Sequence, residues 1–143
     1  MKRLLLLLLL AGSAATAQTL KVTKITPLGE GKFTATMELR NDTGQKVRYL
    51  STYCSKTGFY KTNTENVKVT AKPCGKNYPV MEKVMPHNYQ SINLDLEMEP
   101  DAPKSKFRIG LKFTEIPEHL TIADSASINT VTIWSNEIEF KGR

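Results

Sequence analysis

The chain is poor in the residues on which most enzyme and metal sites are built. Its 143 residues include two cysteines, two histidines and one tryptophan, and no Gly-x-Ser-x-Gly segment occurs. A nucleophilic triad needs a serine or cysteine beside a histidine that an acid orients, and these residues give no such pattern. Two cysteines are also too few for a four-ligand structural zinc site. We therefore expect a protein that is not an enzyme and that needs no cofactor.

Long apolar runs are absent beyond the first residues of the chain. Leu4 to Leu10 form an unbroken apolar segment that follows Met1-Lys2-Arg3 and precedes Ala15-Thr16-Ala17. This order of a cationic start, a short apolar stretch and small residues is that of a secretory signal peptide. The stretch is shorter than the roughly 20 apolar residues of a membrane-spanning helix. We expect a signal peptide over 1–17, cleavage after Ala17, a periplasmic or secreted protein and no membrane span.

The remaining residues, 18–143, predict a single domain, because one domain usually takes about 100–200 residues. The full chain carries a net charge of +6, and the loss of Lys2 and Arg3 with the signal peptide leaves +4. The basic residues are spread along the chain without a cluster. Export would also separate the protein from nucleic acid, so we expect no nucleic-acid partner and a charged surface that favours solubility.

Helical periodicity is missing as well, since no segment of eleven or more residues keeps an apolar stripe at helical spacing. Apolar residues instead recur at every second position, the spacing of a strand with one buried face. Turn-forming residues separate these segments at 27–31, 41–44 and 86–88. The pattern predicts eight or nine short strands, and hence an all-β, antiparallel two-sheet sandwich of immunoglobulin-like type. The main predicted strands are 20–25, 33–40, 47–53, 67–71, 80–85, 92–98, 107–113, 128–134 and a last one with Ile138 and Phe140.

Cys54 and Cys74 are the only thiols, and an even pair in an exported protein indicates a disulfide. We expect this bridge to attach the irregular middle of the chain to the body of the domain. The antibody pattern is absent, because these cysteines are only twenty residues apart and Trp134 lies outside them.

Three segments together resemble a group of uncharacterised exported proteins of Gram-negative bacteria. They are Tyr53-Cys54-Ser55, the run from Cys74 to Pro79, and the closing run from Ile133 to Ile138. The resemblance implies export and an immunoglobulin-like β-sandwich. It implies no activity and assigns no site residues.

Aromatic residues concentrate around the predicted disulfide. Tyrosine is favoured at recognition surfaces, so a contact surface is one interpretation, and packing of these rings at the edge of the core is the other. The protein would then be a non-catalytic binding or envelope-associated module with a protein or an envelope polymer as its partner. The candidate contact residues are Tyr53, Phe59, Tyr60, Tyr78 and Tyr89.

A copper site is the alternative hypothesis. Met81, Met85 and His87 fall within seven residues, and Met98 lies on the following predicted strand. Thioether and imidazole ligands suit Cu(I), so the chain would be a small periplasmic copper-binding protein. Methionine is also a common filler of apolar cores, which gives these residues a structural explanation.

Overall fold

The computed structural model describes residues 17–102 and 104–141 and consists almost entirely of strands. Two short 3₁₀ helices, Thr57–Phe59 and Ile122–Ser127, are the helices of this part of the chain. The eleven strands are β1 (Gln18–Gly29), β2 (Lys32–Asn41), β3 (Val47–Thr52), β4 (Tyr60–Thr62), β5 (Val67–Val69), β6 (Pro79–Val84), β7 (Asn88–Met98), β8 (Ser105–Phe107), β9 (Ile109–Phe113), β10 (Val131–Trp134) and β11 (Ile138–Phe140).

The first sheet has the order β1-β2-β7-β5, and all its pairs are antiparallel. Its inner face is formed mainly by the alternating apolar residues that the sequence pattern singled out, so this pattern correctly predicted which face is buried. On β2 the inward side chains of Phe33, Ala35, Met37 and Leu39 are completely buried.

The turn after β1 is tighter than the sequence suggested. The reversal was predicted over 27–31, but β1 continues to Gly29, which pairs with Lys32 and leaves Glu30 and Gly31 as the loop. Both loop residues have positive φ, which is the geometry of the two-residue hairpin turn that matches strand twist. Gly31 has a second reason to be glycine, because an added Cβ would lie 2.9 Å from the carbonyl oxygen of Met98.

The second sheet is assembled from shorter strands. Its central part has the order β10-β9-β4. Along the strand direction, the pair β11-β8 lies beyond one end of β10 and β9, and the pair β3-β6 lies beyond the other end of β9. Backbone hydrogen bonds join β3 to the residues after β9. Leu50 N donates to Thr114 O at 3.0 Å, and Ile116 N donates to Arg48 O at 2.8 Å. The pieces therefore form one layer opposite the first sheet.

Side chains interrupt this second layer. The predicted strand 107–113 is divided at Arg108, whose N–H donates to Oδ1 of Asn63, while Ile109 N donates to Oγ of Ser135. Because a side-chain oxygen replaces a strand carbonyl at each point, the ladder breaks and two strands, β8 and β9, replace the single predicted one. Together with β4, this division gives eleven strands where eight or nine were predicted. The predicted strand 128–134 also starts later, at Val131, after the 3₁₀ helix Ile122–Ser127.

The two sheets pack face to face around one apolar core. Phe33 of β2 contacts Phe107 of β8 and Phe140 of β11, with ring centroids 5.9 Å and 4.1 Å apart. The strand orders correspond to the A-B-E-D and G-F-C sheets of the immunoglobulin fold, with β6 as an added edge strand. The predicted fold class is confirmed.

A disulfide joins Cys54 to Cys74, as predicted, with a Cα–Cα distance of 6.0 Å. Cys54 lies between β3 and β4, and Cys74 lies between β5 and β6. The bridge therefore ties two irregular connections together at one end of the sandwich.

Residues 1–16 of the predicted signal peptide lie outside the described residues. Within residues 17–102 and 104–141, none of the helices is long and apolar enough to cross a membrane.

Candidate functional site

Two of the five candidate contact residues form an exposed aromatic pair. The rings of Tyr53 and Tyr78 stack with centroids 4.9 Å apart and planes inclined by 8°. Tyr53 is 64% exposed and Tyr78 is 49% exposed. We call these two residues the tyrosine pair.

The backbone around the tyrosine pair is held by several independent links. Tyr53 N donates to Tyr78 O at 3.0 Å, which extends the β3–β6 ladder by one bond. The side chain of Asn77 accepts hydrogen bonds from the N–H groups of Cys54 and Ser55 and donates to Ser55 O at 2.9 Å. Together with the adjacent disulfide, these contacts fix the positions from which both rings project.

The other three candidates lie elsewhere. Tyr60 is buried in the core with 6% of its surface exposed, and Phe59 is partly buried against that core. Burial, together with the nearby Glu82 carboxylate, raises the pKa of the Tyr60 phenol. The Tyr60 ring therefore belongs to the core, and the Phe59 ring is only partly exposed.

Tyr89 is exposed but faces outward from the first sheet. It alternates with Gln90, whose side chain bonds to Tyr49 of the opposite sheet, and successive strand residues point to opposite faces. The guanidinium of Arg40 lies 5.6 Å from the Tyr89 ring centroid. Tyr89 is therefore separate from the tyrosine pair.

The copper candidates are dispersed between the surface and the core. Met81 is half-buried on β6, Met85 is 53% exposed beyond the end of that strand, and His87 is exposed in the following turn. Met98 is buried in the core and does not join them. No group of three His, Cys, Asp or Glu side chains in the described part of the chain is arranged to hold a metal ion. The copper site stays a prediction.

A cleft of about 810 Å³ lies between β4 and β5, where edges of the two sheets meet. It is lined by Tyr60 and by threonine, asparagine, valine and charged residues, including the ion pair of Lys68 and Glu99. The hydrogen bond from Lys68 to Glu99 raises the pKa of the lysine. The residues lining the cleft include no histidine or cysteine, so the cleft lacks the common nucleophile–base pairs.

Sequence reasoning missed a second exposed surface, on the outer face of the second sheet. Trp134 is 39% exposed there, and the ammonium of Lys61 lies 5.3 Å from its ring centroid. Only the pairing of β4, β9 and β10 brings these residues together. The one available signal was the alternation of Arg108, Gly110 and Lys112 with apolar residues along the predicted strand 107–113.

Comparison with known proteins yields structural similarity only. No family model and no curated protein matches the chain. A FixG-related protein from Vibrio parahaemolyticus is similar in structure, with 15% sequence identity, a TM-score of 0.43, and 90% of this chain and 99% of that chain covered. A protein from Archaeoglobus fulgidus is similar with 13% identity, a TM-score of 0.38, and coverage of 87% and 96%.

Proposed function

We propose that this protein is a non-catalytic binding domain that acts in the periplasm or outside the cell, and that the tyrosine pair is its contact surface for a protein partner of the envelope. The observation that carries the proposal is the stacking of two exposed rings on a backbone held by a disulfide and by Asn77.

The location outside the cytoplasm is supported by two features. Residues 1–17 have the order of a secretory signal peptide. The Cys54–Cys74 disulfide is the kind of bond that persists in oxidising compartments and is rare in the cytosol.

The choice of the tyrosine pair as a binding surface is supported by its exposure and by the properties of tyrosine. Rings that are half exposed or more add little to the core, so their burial does not explain them. Tyrosine gives a partner a large apolar area with a polar tip and few rotatable bonds. Because the supporting backbone is already fixed, a partner would not have to order it upon binding.

The absence of catalysis is supported by the two histidines. His87 and His119 are both exposed, and within the described residues neither side chain forms a hydrogen bond. A general base needs a fixed position beside the group from which it takes a proton.

The test is photo-crosslinking in the cells that produce the protein. A benzoyl-phenylalanine replaces Tyr78 in one variant and Tyr89, which has the same 49% exposure, in the control. We expect ultraviolet light to give a covalent adduct of defined mass at position 78 and not at 89, and Tyr53→Ser to reduce that adduct strongly. Equal adducts at both positions, or none at 78, would contradict the proposal.

Location is measured separately on the same preparations. Intact mass of the purified protein should match a chain that begins at Gln18 and retains the disulfide. A cytoplasmic protein that still carries residues 1–17 would overturn the proposed location whatever the crosslinking shows.

A further inference from the structure

We propose that the outer face of the second sheet around Trp134 is a second binding site, and that it takes an acidic polysaccharide. We call this surface the tryptophan face. It is distinct from the tyrosine pair, but the choice of ligand rests on the proposed location outside the cytoplasm. Its residues are Lys61, Arg108, Gly110, Lys112 and Trp134.

Strand register places these residues on one face. Gly110 of β9 pairs with Lys61 of β4 on one side and with Trp134 of β10 on the other. Directly paired residues of antiparallel strands point the same way, and Arg108 and Lys112 share this face because each lies two residues from Gly110. The interleaved Ile109 and Leu111 are buried in the core, which confirms that direction.

The indole of Trp134 lies over the backbone of Gly110. An added Cβ at Gly110 would lie 2.9 Å from one ring carbon of Trp134 and 2.9 Å from the Thr132 methyl carbon. The missing side chain therefore makes room for the ring against the sheet. A flat indole that is 39% exposed can stack against the C–H face of a sugar ring.

The cations of the tryptophan face are unneutralised. Lys61, Arg108 and Lys112 are all exposed, and within the described residues none of them forms an ion pair. The carboxylate at the neighbouring end of the sheet, Glu139, is bonded to Lys104 at 2.9 Å. The hydrogen bond from Lys104 lowers the pKa of Glu139. The face therefore offers positive charge to a ligand.

The spacing of the cations favours an extended ligand with several charges. Arg108 and Lys112 are four residues apart, about 13 Å along the strand at roughly 3.3 Å per residue. A chain of acidic sugars, which carries a negative charge on successive rings, can contact cations spread over this length. Nucleic acid also combines flat rings with negative charge, but the disulfide favours a compartment where acidic polysaccharide is the more accessible polymer.

The protein carries its own reporter for the test, because Trp134 is the only tryptophan of the chain. Alginate, a polymer of uronic acids, is titrated into the mature protein while the intrinsic fluorescence is followed. We expect a saturable change that weakens as salt is added, and no change with neutral dextran. No response to alginate, or an equal response to dextran, would overturn the proposal.

A matched pair of variants then tests the position of the site. Lys61→Gln/Arg108→Gln/Lys112→Gln removes three positive charges from the tryptophan face. The control, Lys21→Gln/Lys24→Gln/Lys32→Gln, removes the same charge from exposed positions on the first sheet. We expect the first variant to bind alginate about tenfold more weakly and the control to stay within about twofold. Equal weakening would show attraction by net charge alone and would overturn the site.

Three further measurements distinguish this proposal from a structural role of Trp134, from the tyrosine pair and from a nucleic-acid site. Trp134→Ala lacks the fluorescent reporter, so its binding is measured by its mobility in gels that contain alginate. We expect alginate to retard the parent protein and not this variant. The circular dichroism spectrum of the variant should stay that of the parent protein. Tyr53→Ser/Tyr78→Ser should keep the affinity for alginate, so failure of the tyrosine pair and failure of the tryptophan face are distinguishable. Tighter binding of oligo(dT) than of alginate would identify a nucleic-acid site and overturn the choice of ligand.

Discussion

The phenol hydroxyl of Tyr49 donates a 2.6 Å hydrogen bond to Oε1 of Gln90 and thereby links the two sheets through their inner faces. Tyr49 lies on β3 of the second sheet, and Gln90 lies on β7 of the first. The amide of Gln90 in turn donates to Glu82 at 3.1 Å. A polar chain therefore runs into the edge of the apolar core.

The first prediction concerns this link. Tyr49→Phe removes the hydroxyl and leaves the Gln90 carbonyl oxygen without its donor, so we expect the free energy of unfolding to fall by about 1–2 kcal/mol. Urea unfolding followed by circular dichroism measures the change. The control is Tyr53→Phe, where the ring is exposed and a change within about 0.5 kcal/mol is expected. Equal losses in the two variants would contradict this role of Tyr49.

The second prediction concerns alkaline pH. Burial raises the pKa of Tyr49, with smaller contributions from Tyr60 and Glu82, and burial also raises the pKa of Tyr60. In the unfolded chain both phenols ionise near pH 10, whereas the folded protein retains both protons. Their contribution to stability is therefore complete below about pH 10 and is lost as the pH rises above it.

The Tyr49→Phe variant should change how steeply the unfolding free energy falls with pH. Each of the two tyrosines contributes a fall of about 1.4 kcal/mol per pH unit above pH 10, because the unfolded state has lost a proton that the folded state keeps. We expect the slope of unfolding free energy against pH, measured in urea above pH 10, to be shallower in Tyr49→Phe by about that amount. Identical slopes in the parent protein and the variant would show that Tyr49 ionises without unfolding.

The third prediction concerns the disulfide. Cys54 and Cys74 are 20 residues apart, and releasing a loop of this size costs about 3 kcal/mol of stability in the chain-entropy account. We expect Cys54→Ser/Cys74→Ser to lose that amount in urea unfolding, and the reduced parent protein to match the variant. If the reduced protein kept the stability of the oxidised one, the bridge would have no role in holding the domain together.

The fourth prediction concerns Asn41, which is completely buried at the end of β2. Its amide nitrogen donates to the carbonyl oxygens of Gln45, Val84 and Met85, at 2.7, 3.1 and 3.2 Å. Asn41→Asp would point a carboxylate oxygen at three carbonyl oxygens, so we expect a loss of about 2–4 kcal/mol at pH 7.

Asn88, on the neighbouring strand β7, provides a matched control for Asn41. Asn88 pairs with Asn41 in register but is exposed, and its side-chain oxygen accepts a hydrogen bond from Tyr89 N at 2.8 Å. Aspartate keeps that acceptor, so Asn88→Asp should change the unfolding free energy by less than about 0.5 kcal/mol. A comparable loss at both positions would contradict the assigned role of the Asn41 amide.

The strands with the clearest alternation were predictable from local sequence. From Phe33 to Leu39 on β2 and from Ile92 to Met98 on β7 each inward residue is apolar and each outward residue is polar, so one local pattern specifies both the strand and its buried face. The break at Arg108 was not predictable, because it depends on Asn63 and Ser135, which are distant in sequence. The burial of Tyr60 likewise depends on pairing with Leu111, which an isolated Phe-Tyr dipeptide does not indicate.

The amino-acid sequence by itself determined the all-β class, the disulfide and most turns, because these follow from residue alternation, cysteine number and local backbone preference. Only the tertiary structure decided which aromatic rings are exposed and which cations share a face. The Tyr53 ring stacks on the Tyr78 ring, and the Lys61 ammonium lies over the Trp134 ring, although the partners of each pair are far apart in the chain. Such contacts depend on strand order and register, which the packing of the two sheets sets for the whole domain at once.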